Sequence, residues 1–129
     1  MSERNRSTHS NVRDGKRLVW YSESLWRLAA GLPVVEVELD SVKAWTGANA
    51  LDEDCWFVGA RVPTLREVAR HCQRINAATF DHPIILSDDG TLMDGGHRLC
   101  KALVDGRRTI TAVRFPSMPP PDEVHDLVE

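Results

Sequence analysis

Asp94-Gly95-Gly96-His97-Arg98 sets a carboxylate, two glycines, an imidazole and a guanidinium side by side. At the start of a helix, such a set is suited to holding negatively charged oxygens. Paired glycines are unusual there, since each costs up to about 1 kcal/mol relative to alanine inside a helix. Without side chains they leave the first-turn amide hydrogens open to close approach by a ligand. A cation in that turn opposes the helix dipole by roughly 0.3–1 kcal/mol. A bound anion reverses this penalty, held by bare amides, dipole and both cationic side chains. Lys101, three residues after Arg98, shares its helix face and extends the basic patch. An architectural reading fits the same residues: the glycines permit tight helix-on-sheet packing while His97 and Arg98 face solvent. Spacing alone leaves both open.

The flanking elements follow from short patterns. Pro83 to Ser87 is an apolar run closed by Asp88-Asp89-Gly90, a strong turn signal, and Thr91 to Met93 returns as a second strand. Asp94 is a preferred N-cap type, so its oxygen is expected on an amide of the helix. That helix is predicted from Gly95 to Asp105, with Gly106 placed to end it and Leu99, Ala102 and Leu103 facing the sheet. Thr109 to Phe115 alternates as a strand.

This run resembles the core of the ParB/sulfiredoxin superfamily. The resemblance spans roughly Val34 to Phe115 and rests on Pro83-Ile84-Ile85-Leu86, Asp89-Gly90, Met93 to Leu99, Gly106 and Thr109-Ile110. It implies a small α+β domain, a mixed sheet with packed helices, whose helix start grips nucleotide phosphates. By implication the ligand is a nucleoside triphosphate, ATP or CTP, with magnesium as an accompanying ion. Gly95, Gly96, His97, Arg98 and Lys101 then form the grip, with Thr64 and His71 contributed by the preceding helix. Sulfiredoxins carry a catalytic cysteine immediately before the His-Arg pair, where this chain has Gly96, so sulfinic acid reduction is not expected. ParB proteins that segregate DNA carry a helix-turn-helix domain after this core, and no such segment follows here.

The helix bearing Thr64 and His71 is predicted from Pro63-Thr64 to Asn76. Thr64 and Glu67 have capping-box spacing, Leu65, Val68, Ala69, Cys72 and Ile75 form a core face, and Arg66, Arg70, Gln73 and Arg74 point outward. Thr64 reads equally as a simple cap, and His71 as an ordinary flank of the core. Upstream lies the irregular segment 46–63, with Asp52-Glu53-Asp54-Cys55-Trp56-Phe57. It fits a solvated loop anchored by Trp56 and Phe57. Its carboxylates also suit magnesium binding or a general base near phosphate, with Glu53 the candidate. His71, Cys72, His97 and Cys100 lack the spacing of a zinc site, and no metal is expected at them.

Residues 1–17 read as a basic tail, with a domain over 18–115 and a proline-rich acidic tail over 116–129. Within the domain, Ser22 to Ala30 has helical spacing, with Trp20, Tyr21 and Trp26 expected to cover an edge of the core or to meet a partner. Val34 to Leu39 alternates as a half-buried strand, and Asp40-Ser41 is expected to open a short helical turn through Trp45.

A chain of 129 residues holds one ordinary domain with one core. Sixteen basic residues against 19 acidic give no support to a broad nucleic-acid surface, so nucleic acid is not the expected partner of this chain alone. No apolar run reaches a membrane span and no signal-peptide pattern opens the chain. Three cysteines in unpaired spacing suit a reduced, cytoplasmic protein. The expected function is nucleotide binding. A small phosphotransferase or nucleotide hydrolase on the same site, with Glu53 or Asp94 in the acid role, is the alternative, and a DNA-associated nuclease-like module a more distant one.

Overall fold

The computed structural model describes residues 8–44, 46–52 and 62–127, which fold as a small α+β domain. Its centre is a four-stranded mixed sheet of β3 (Val35–Glu38), β6 (Thr109–Arg114), β4 (Ile84–Leu86) and β5 (Leu92–Asp94), in that order. β4 is parallel to β6, while the other two pairings are antiparallel. All three β4 residues are buried, as expected of a central strand covered on both faces. Helix α3 (Gly96–Val104) carries the chain from β5 back to β6. Gly106 ends it at φ 76°, donating to Leu103 O while the Arg107 amide reaches Ala102 O. This pair of bonds is the Schellman pattern that glycine at this position permits.

The two-residue period of the strands divides the core. Ile84, Leu86, Ile110 and Ala112 pack with Leu99 and Ala102 of α3 and with Leu39 and Val42. Ile85 and Val113 pack on the opposite side with Trp20, Leu25, Ala29, Met93 and Phe115. The second group brings in helix α1 (Ser22–Ala29) and the strand that precedes it.

The chain ends depart from the expected tails. β1 (Thr8–Arg13), β2 (Lys16–Tyr21) and β7 (Glu123–Asp126) form a separate three-stranded antiparallel sheet, with β2 central. Asp14 and Gly15 turn the first hairpin at φ 53° and 73°, the positive pair that an Asp-Gly turn supplies. The prolines do not prevent β7, because that strand starts only after Pro121. Trp20 Nε1 donates to Pro119 O at 3.0 Å, and the Asp122 carboxylate accepts from the Tyr21 amide and Ser24 Oγ. Asp122 therefore serves the start of α1, whose N-cap is Tyr21 and not Ser22.

Three other elements differ in burial or extent. β3 is an edge strand and leaves Val35 exposed. Leu39–Ser41 makes one 3-10 turn and extends no further, and Trp45 lies outside the described residues. Helix α2 (Leu65–Ala77) has the expected Thr64–Glu67 capping box, yet none of its residues is buried. It lies against α3 rather than across the sheet, so its apolar positions meet solvent, Leu65 at 90 % exposure.

Candidate functional site

At the junction of β5 and α3 the N-cap is Gly95, at φ 114°, and not Asp94. A Cβ on Gly95 would stand 2.5 Å from Ile84 Cγ2, so this glycine is required both by backbone conformation and by its approach to β4. The packing reason for a glycine here is therefore real. It does not close the helix start, because the Gly96 and Arg98 amides find no acceptor among the described residues. Asp94 remains in the strand, and its side chain turns to two other partners.

Those partners are Arg98 and Trp26. Arg98 Nη2 and Trp26 Nε1 both donate to Asp94 Oδ2 at 2.9 Å. Arg98 Nη1 also donates to the carbonyls of His82 and Pro83, at 2.6 and 2.7 Å. The guanidinium thus ties the entry of β4 to the end of β5 and the start of α3. Much of its donor fork is committed to the fold, not held out for a ligand.

His97 meets His71 of α2. Nδ1 of His71 and Nε2 of His97 are 2.8 Å apart, and the rings stack with centroids 5.1 Å apart. Burial lowers the pKa of His97 from its ordinary value, helped by the positive charges of His71 and Arg74 and opposed by Asp94. The pKa of His71 is lowered by burial and then by Arg74, against Glu67. Both imidazoles are neutral at neutral pH, and Arg74 supplies the standing positive charge beside them.

These groups line a cleft of about 1800 Å³ that runs from the α3 start past α1 to β1. Gly95, Gly96, His97, Arg98 and His71 all line it. Thr64 does not; it caps α2. Lys101 does not either, its amine lying 3.4 Å from Asn76 O at the end of α2. Glu53, with the rest of 53–61, lies outside the described residues. Arg74 and Trp26 also line the cleft: the sequence places Arg74 on the outer face of α2 and Trp26 at an edge of the core or on a partner surface. Among the described lining residues Asp94 is the one carboxylate, against Arg17, Arg74 and Arg98.

No protein-family model, curated protein or solved structure matches the chain. No helix among the described residues is long and apolar enough to cross a membrane. Nor do three or more His, Cys, Asp or Glu side chains among them gather where a metal ion could be held.

Proposed function

We propose that this chain is a ParB/sulfiredoxin-type domain that binds a phosphate-bearing nucleotide where α3 begins. One observation carries the reading: a cleft walled by three arginines meets open helix amides, and its one described carboxylate is already neutralised by Arg98. Phosphate oxygens would take the Gly96 and Arg98 amides, with the dipole of α3 behind them and Arg74 and His97 at the side. A nucleoside triphosphate, ATP or CTP, fits this donor set. Among the described residues no carboxylate is left to hold a magnesium ion in this cleft, since Asp94 is occupied by Arg98 and Trp26. Cys72 and Cys100, which form no disulfide among the described residues, fit a reducing, cytoplasmic setting.

Phosphoryl transfer or hydrolysis on the same site is the second reading. It is favoured by the neutral state of His71 and His97, in which a ring nitrogen can take a proton from an attacking hydroxyl.

A thermal-shift screen of nucleoside di- and triphosphates, with and without magnesium, tests the proposal. A ligand selective for the folded chain raises the melting temperature in proportion to the logarithm of its concentration. Unchanged melting with every nucleotide at millimolar concentration refutes binding, and phosphate release distinguishes the second reading from the first.

A further inference from the structure

Trp26 is a large apolar side chain that the core does not use. It stands 57 % exposed on α1, although Leu25 and Ala29 of the same helix are buried. Its ring lines the cleft, and its Nε1–H is fixed on Asp94 Oδ2 at 2.9 Å, one residue before the Gly95-Gly96 opening. That bond holds the edge of the indole, while more than half of the residue stays exposed. Nearby lining residues on the same side are small, Ala29 and Ala30, which leaves room beside the ring. An indole held by its edge beside a positively charged cleft has the form of a stacking platform for a planar, electron-poor ring.

We infer that Trp26 stacks on the base of the bound nucleotide, so the ligand is a base-bearing phosphate and not inorganic phosphate or polyphosphate. This rests on the anion-binding reading of the same cleft. Asp94 becomes the link between the two halves of the ligand, since one oxygen accepts from the indole and from the arginine at the helix start. Stacking is tolerant of base identity, because every base offers a π face.

The test is calorimetric titration of ATP, CTP and inorganic tripolyphosphate into wild type, Trp26→Ala and Trp26→Phe. Wild type binds the nucleotides about tenfold more tightly than tripolyphosphate. Trp26→Ala brings the nucleotides down to the tripolyphosphate level and leaves tripolyphosphate unchanged. Trp26→Phe, which keeps a ring and loses the hydrogen bond, retains most of the advantage. Equal affinity of wild type for all three probes, or equal loss of all three in Trp26→Ala, overturns the stacking role and leaves anion binding standing. Absence of binding of any probe to wild type overturns both.

Discussion

The Nδ1 of His71 lies 2.8 Å from Nε2 of His97, which joins the middle of α2 to the first turn of α3. Burial and the charge of Arg74 hold both rings neutral at neutral pH. Acid adds positive charge to the mouth of the cleft, so anion affinity rises as pH falls. Sulfate is the suitable probe, because its own charge stays constant between about pH 8 and about pH 5. Its affinity should increase by about threefold or more over that range in wild type and by much less in the double variant His71→Gln/His97→Gln, since both rings line the cleft. A flat wild-type profile removes the imidazoles from the site.

Gly95→Ala should be among the most damaging single changes. It places a Cβ on a residue at φ 114° and drives it to 2.5 Å from Ile84 Cγ2. Strain and overpacking together cost roughly 2–4 kcal/mol, measured by denaturant unfolding. Ile84→Ala in the same chain removes Cγ2 but leaves Ile84 Cβ at 3.0 Å and vacates a fully buried site, so the double variant is expected to be no more stable than Gly95→Ala.

Arg98 was read from sequence as a ligand group, and its bonds give it a second duty. It donates to His82 O, Pro83 O and Asp94. Both members of the ion pair are largely shielded, at 17 % and 16 % exposure. Arg98→Ala is therefore expected to lower stability by about 2–3 kcal/mol. Arg98→Lys restores part of it, since a single ammonium cannot reproduce the fork. Unchanged stability of Arg98→Ala would show that these bonds contribute nothing to the fold.

His9 gives the fold its own pH dependence. Burial lowers its pKa from 6.5 to about 4, and its Nε2 has no hydrogen-bond partner among the described residues. The unfolded imidazole binds its proton at a higher pH than the folded one. Stability that is full above 6.5 is lost as pH falls towards 4, by at most about 3 kcal/mol. His9→Phe should flatten that part of the stability–pH curve relative to wild type.

The hairpin, the helix after it and its glycine stop were legible because each depends on local signals: an Asp-Asp-Gly turn, helical spacing and Gly106. The Asp14-Gly15 turn was equally local, but charged flanks on an exposed strand gave no apolar alternation to support it. β7 could not be read, since its partner β2 lies about a hundred residues away and proline density argued against order. The exposure of α2 escaped the pattern because helical spacing defines a face and not what covers it. In the site, Gly95, Gly96, His97 and His71 came from motif and resemblance. Trp26 and Arg74 reach the cleft only through tertiary placement, and Asp94 left its cap position because Gly95 took the left-handed turn.

The central claim is that the start of α3 seats phosphate through its open amides and His97. Calorimetric titration of a nucleoside triphosphate into wild type and His97→Ala tests it most directly, because His97 stands in the first turn of α3 and lines the cleft. The account predicts binding by wild type and an affinity about tenfold lower in His97→Ala, a larger change than its loss of thermal stability. Equal affinity in the two proteins, or no heat of binding in wild type, would contradict it.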